Sequence, residues 1–140
     1  YTCTRDAQGA VHCFGGRHAT PRRVEGVKAS GIALGEAGLC AIAEEGRVLC
    51  SASAEPQSAL MEIPGLAPAE SVHVGADYAC ANQHGGSVAC WDRSQRPRAV
   101  ALRGSARSVA VGAGFACALL DTGAVACWGR GERGQLGHTG

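Results

Sequence analysis

All eight cysteines fall into four pairs of identical spacing, and no other feature constrains the fold as tightly. Cys3 and Cys13, Cys40 and Cys50, Cys80 and Cys90, and Cys117 and Cys127 each stand ten positions apart. The first members fall at 3, 40, 80 and 117, a period of 37 to 40 residues. A fixed period of this size marks a repeat architecture, made of copies of one supersecondary unit. The 140 residues read as a single repeat domain, with repeats at approximately 1–28, 29–68, 69–105 and 106–140.

The spacing inside each pair specifies a hairpin. A glycine stands six positions after each first cysteine: Gly9, Gly46, Gly86 and Gly123. A valine follows two positions later: Val11, Val48, Val88 and Val125. A three-residue loop with left-handed glycine, a type I turn plus bulge, fits this spacing. With Asp121-Thr122-Gly123 as the loop, Leu120 faces Ala124 and Cys117 faces Cys127. Directly opposed residues in a non-hydrogen-bonded pair lie within disulfide reach. Eight cysteines allow 105 connectivities, and the spacing selects 3–13, 40–50, 80–90 and 117–127. Each bridge closes a short loop and is worth roughly 2–3 kcal/mol on the chain-entropy view. Zinc is the rival reading. Structural zinc sites want cysteines two to four apart, and the five histidines, His12, His18, His73, His84 and His138, recur at no equivalent position.

The aromatics follow the same period. Tyr1, Tyr78 and Phe115 stand two before a first cysteine, and Phe14, Trp91 and Trp128 directly follow a second cysteine. The second repeat has Gly38 and Ser51 at these positions. They read as blade-packing residues, the alternative being a ring of exposed aromatics for a ligand. In the fourth repeat, Phe115, Cys117, Leu119, Val125 and Cys127 share one strand face, and Ala116, Ala118, Leu120, Ala124, Ala126 and Trp128 share the other. A sheet apolar on both faces must be covered twice. Small sheets arranged radially achieve this, each covering the next. No segment holds a 3.6-residue period, because glycine and proline interrupt too often. The expected class is therefore all-β.

Paired cysteines in every repeat imply an oxidising compartment: extracellular, cell surface or periplasmic. No apolar run is long enough for a transmembrane helix. The chain begins at Tyr1 rather than Met, which suggests a removed leader or a piece of a longer protein. Arginine dominates the basic residues, Lys28 being the only lysine, and alanine is abundant, a usage associated with GC-rich bacterial genomes. A net charge of +1 argues against general nucleic-acid binding. Acids crowd residues 36–70, while Arg93, Arg96, Arg98, Arg103 and Arg107 occupy 93–107 without an acid. The plain reading is solvated loops. The sharper one is a charged interaction surface that fixes orientation between copies or toward a partner. No catalytic motif, cofactor-binding motif or metal-ligand set stands out, so the expectation is a non-enzyme without cofactor.

Val109, Val111, Gly112, Ala113, Gly114, the hairpin, then Trp128, Gly129, Gly134, Gln135, Leu136 and Gly137 resemble the repeat of the regulator-of-chromosome-condensation family. The connectors Pro21-Arg22-Arg23-Val24 and Pro97-Arg98-Ala99-Val100 are similar to its inter-repeat segment. The full signature stands only in the fourth repeat. The resemblance implies β-propeller blades, of the kind found in short-repeat, disulfide-containing bacterial extracellular members, one of which inhibits β-lactamases. The family commonly has seven blades and this chain has four hairpins. The chain is then a fragment of a longer propeller, a part completed by another copy or another chain, or a smaller four-bladed ring. The resemblance favours a protein–protein interaction or scaffolding module whose partner is another protein or further copies of itself. An enzyme inhibitor or regulator acting through rim loops is the alternative. Nucleotide exchange on a small GTPase is disfavoured, because GTPases work in the reducing cytoplasm where disulfides are rare.

Overall fold

Each cysteine pair lies at the centre of a β-hairpin, and flanking strands extend every hairpin into a small antiparallel sheet. The structure is a computed structural model and describes residues 1–15, 18–24, 27–36, 38–51, 60–92 and 96–129. Blade 1 is β1 (Thr2–Arg5), β2 (Val11–Gly15) and β3 (His18–Arg23), in that order. Blade 2 is β4 (Gly31–Gly35), β5 (Gly38–Ile42), β6 (Val48–Ser51) and β7 (Leu60–Glu62). Blade 3 is β8 (Ala69–Val74), β9 (Ala79–Gln83), β10 (Val88–Trp91) and β11 (Arg98–Ala99). Blade 4 is β12 (Ala106–Val111), β13 (Phe115–Leu120) and β14 (Val125–Gly129). Among the described residues no helix is long and apolar enough to cross a membrane.

The hairpin register pairs Cys3 with Cys13, Cys40 with Cys50, Cys80 with Cys90 and Cys117 with Cys127. All four pairs are disulfide-bonded, with Cα atoms 4.0–4.1 Å apart. Every loop closes with the same two backbone bonds. In blade 4, Leu120 N–H donates to the Ala124 carbonyl (2.8 Å) and Gly123 N–H to the Leu120 carbonyl (3.0 Å). Blade 3 repeats them from Gln83 to Ser87 (2.8 Å) and from Gly86 to Gln83 (3.0 Å). The expected type I turn does not hold in blades 2 and 3. There the residue before the turn glycine is also left-handed, Glu45 at φ 63° and Gly85 at φ 89°, whereas both central residues of a type I turn have negative φ. Gly85 adopts this at no steric cost; Glu45 is strained.

The sheets stack face on face through three apolar layers. The disulfide face of each blade covers the alanine-rich face of the next. Val11 and Cys13 of blade 1 pack with Leu39 and Ala41 of blade 2. Cys40, Ile42, Val48 and Cys50 of blade 2 pack with Val72, Ala79, Ala81 and Trp91 of blade 3. Cys80, Val88 and Cys90 of blade 3 pack with Val109, Ala116, Ala118 and Leu120 of blade 4. A fully buried Leu39 or Val48 contributes about 1.5–3 kcal/mol relative to exposure. The alanines matter as much, because they admit the neighbour's larger side chains at interior packing density.

The first strands of neighbouring blades converge, β4 on β8 and β8 on β12. A glycine allows the approach: a Cβ on Gly35 would sit 2.6 Å from the Gly75 carbonyl oxygen. Blades 2 and 3 are covered on both faces. Blades 1 and 4 are covered on one, because residues 1–140 place no described sheet beyond them. Among the described residues blade 1 comprises β1, β2 and β3, without a strand equivalent to β4, β8 or β12.

Candidate interaction surfaces

The hairpin loops of successive blades lie along one rim, and the segment entering each new blade runs across the loop of the preceding one. Ala29 N–H donates to the Gly9 carbonyl and Ala106 N–H to the Gly86 carbonyl, each at 2.8 Å. Pro68 and Ala69 cross Gly46 equally closely. Ala29, Ala69 and Ala106 all stand eleven residues before a first cysteine and all are buried. That recurrence is a sequence signal for the rim, and the cysteine and glycine periods alone do not reveal it.

Side chains lock this arrangement. Gln83 is buried; its Oε1 accepts from Ala67 N–H (2.8 Å) and its Nε2 donates to Ser87 Oγ (3.1 Å). One side chain thus ties the entering segment to the blade 3 loop. Asn82, also buried, donates from Nδ2 to the Ala106 carbonyl at 3.4 Å. In blade 1, Asp6 Oδ1 accepts from Gln8 and Ala10 N–H groups, both at 2.9 Å, and holds the loop in shape. Gln83, buried with both ends of its amide paired, favours one arrangement of the loops over others.

Between the loops of blades 1, 2 and 3 lies an open cleft of about 680 Å³. Its charges are segregated by blade. Arg5 and Lys28 come from blade 1 and the segment leaving it. Glu44 and Glu45 come from the blade 2 loop, and Glu70 and His84 from blade 3. His84 Nδ1 lies 3.1 Å from Glu70 Oε1, both side chains being exposed. Solvent screening leaves such a surface pair little energy, so these groups remain available to a ligand. Glu44 and Glu45 are solvated loop residues, as their place at a turn apex implies, and the fold gathers them with charges from two other blades.

The arginines do not form one cluster on one strand. Arg98 lies on β11, the outer strand of blade 3, and Arg107 on β12, the first strand of blade 4; Arg96 and Arg103 lie before and between these strands. All four are exposed. They mark the path of the chain from the outer edge of one blade back to the narrow side of the next. Arg93, together with Gly134, Gln135, Leu136 and Gly137, lies outside the described residues.

The aromatics divide by position in the stack. Trp91 is buried on the blade 2 disulfide side. Trp128 is half-buried and its Nε1 donates to Cys90 Sγ at 3.3 Å. Tyr78 packs in the same layer as Trp128. Burial pushes its hydroxyl pKa up, a hydrogen bond with Trp128 opposes the shift, and the Asp92 carboxylate adds to it. Phe14 and Phe115 are half-buried. Tyr1 is exposed, and among the described residues no sheet covers it. His73, on β8, is half-buried beside Ser71 Oγ (3.2 Å), and desolvation lowers its pKa. Among the described residues no group of three or more metal-ligating side chains comes together.

Residues 106–135 match the sequence profile of the Regulator of chromosome condensation (RCC1) repeat. No curated protein sequence matches the chain. Among solved structures, it is similar to Prp20p from Saccharomyces cerevisiae, with a TM-score of 0.77 at 18% identity over 98% of this chain and 44% of that one. Human WBSCR16 gives 0.77 at 16% identity, over 96% and 46%. The CRINKLY WD40 ectodomain of the Arabidopsis thaliana receptor kinase ACR4 gives 0.67 at 26% identity, over 92% and 46%. The chain spans less than half of each of these three structures.

Proposed function

We propose that this chain, whose sheets are propeller blades of the regulator-of-chromosome-condensation type, is a protein-binding module that grips its partner at the hairpin rim. The observation that carries the reading is the cleft, where three blades bring Arg5 and Lys28 together with Glu44, Glu45 and Glu70. A rigid scaffold presenting loops is the usual arrangement for recognition, and segregated charge selects and orients a partner more than it adds affinity. Yeast Prp20 offers a parallel: its structures are described bound to Kap60 and with binding to Gsp1p and histones.

The proposed setting is extracellular, cell-surface or periplasmic. Four disulfides that use every cysteine support it, and the same argument disfavours cytoplasmic GTPase exchange. The module is proposed to act by binding, without catalysis of its own. The test is proximity cross-linking in an extract of that compartment, read by mass spectrometry. We expect cross-links from the loops around Glu44 and His84. They should disappear in a Glu44→Arg, Glu45→Arg, Glu70→Arg variant and persist in an Arg98→Glu, Arg103→Glu, Arg107→Glu variant. An unchanged set of partners with the acidic-rim variant sinks the rim reading. Loss with the arginine variant alone moves the site to the blade 3–blade 4 path.

A further inference from the structure

The rim cleft is lined by charges of both signs that the fold leaves largely unpaired. Lys28 lies across the blade 1 loop: its Cγ is 2.8 Å from the point where a Cβ on Gly9 would stand. Glu70 directly follows Pro68 and Ala69, which cross Gly46 in the same way. From blade 1 to blade 3 the lining therefore changes sign, from Arg5 and Lys28, through Glu44 and Glu45, to Glu70. Among the described residues, Glu70 is the one of these five that forms an ion pair, with His84. Among the described lining residues, Ile42 is the one large apolar side chain. Small-molecule sites are mostly apolar with a few placed polar groups. An open, charged cleft of this kind suits a segment of another protein instead.

One lining residue holds a conformation that its type disfavours. Glu45 has φ 63° and ψ 19°, and among the described residues it is the one non-glycine with positive φ. The equivalent residue of the blade 3 loop also has positive φ and is Gly85, which adopts that conformation freely. Blade 2 thus keeps a glutamate where its backbone favours glycine. Strain of this kind gathers at binding sites. We infer that Glu45 reads a basic side chain, arginine or lysine, in an extended segment of the partner protein, and that an acidic residue of the same segment lies against Arg5 and Lys28. The inference rests on the rim reading and adds the chemistry of the partner: base toward blade 2, acid toward blade 1. Charge segregated in this way fixes the direction in which the segment lies.

The test titrates the isotope-labelled full chain with short end-blocked peptides and follows backbone amides by nuclear magnetic resonance. One peptide carries a glutamate and an arginine at its two ends; the others replace the glutamate, the arginine or both with glutamine. The mixed-charge peptide should shift the amides of Gly9, Glu45 and Gly46. Loss of either charge should weaken binding about two- to fivefold, as for an exposed ion pair. Glu45→Gln should abolish the preference for the arginine-bearing peptide, and Glu44→Gln should keep it. Glu45→Gly should lose the same preference while its guanidinium unfolding midpoint rises, since glycine relieves the left-handed strain. A mixed-charge peptide that binds no better than the singly charged ones overturns the inference. So does a Glu45→Gln variant that keeps the preference, or a Glu45→Gly variant with a lowered midpoint. Peptides that leave the rim amides unmoved, while the rim cross-links of the unmodified chain disappear in the acidic-rim variant, overturn this inference and leave the rim reading standing. Cross-links unchanged in the acidic-rim variant sink both.

Discussion

Gly46→Ala and Gly123→Ala are the same substitution at equivalent turn positions, and the structure assigns them different costs. Both glycines are left-handed, at φ 75° and 88°. An alanine there pays about 1–2 kcal/mol for the Cβ clash with its own backbone. The loss of glycine's freedom in the unfolded chain returns about 0.4–1 kcal/mol. The net is about 1 kcal/mol of destabilisation at either site. At Gly123 the account ends there, because no atom lies within 4 Å of the added Cβ. At Gly46 that Cβ falls 2.7 Å from Pro68 Cβ and 2.8 Å from Pro68 Cα and Ala69 N. Two of those atoms are backbone and cannot swing aside, so overpacking adds about 1–3 kcal/mol. Gly46→Ala should therefore cost about 2–4 kcal/mol in total and Gly123→Ala about 1. Guanidinium unfolding of the oxidised protein, followed by Trp91 and Trp128 fluorescence, measures both. Equal midpoint shifts would refute the claim that each entering segment rests on the preceding turn glycine.

Three other outcomes follow from the same geometry. Cys117–Cys127 is half-buried, whereas Cys40–Cys50 and Cys80–Cys90 are enclosed. Since thiol exchange needs access to sulfur, it should be reduced before those two when alkylated fragments are mapped over time; earlier loss of Cys80–Cys90 contradicts the assignment of faces. His73 has its pKa lowered below 6.5 by desolvation. Between that lowered value and 6.5 the unfolded chain holds more protons, so stability rises with pH across the window and falls on acidification below 6.5. Urea midpoints at pH 7.5 and 5 should converge in His73→Gln, and an undiminished difference removes His73 as the cause. Gln83→Ala strands the Ala67 N–H and removes the tie to Ser87, at a cost of about 1–3 kcal/mol. Hydrogen exchange at Ala67 should accelerate more than exchange within β13, and equal changes would mean that the tie does not hold the rim.

The hairpins and their disulfides were legible because their causes are local. Two cysteines ten apart, with a glycine six after the first, face each other whatever lies elsewhere in the chain. The period of 37 to 40 residues multiplied that local fact by four and pointed to stacked sheets. The type of turn was less legible. Nothing in the composition of Glu44-Glu45-Gly46 announces a left-handed Glu45. The cleft was not legible as a site: Glu44 and His84 open equivalent hairpin loops but differ in chemistry, and Lys28 and Glu70 stand at other places in their repeats. Only the crossing of each entering segment over the preceding loop brings them together. The valines mark the limit most clearly. Val11, Val48, Val88 and Val125 hold the same place in the same motif, and sequence makes them equal. Burial is a property of two sheets rather than one, so the stack alone decides that three are enclosed and the fourth is exposed.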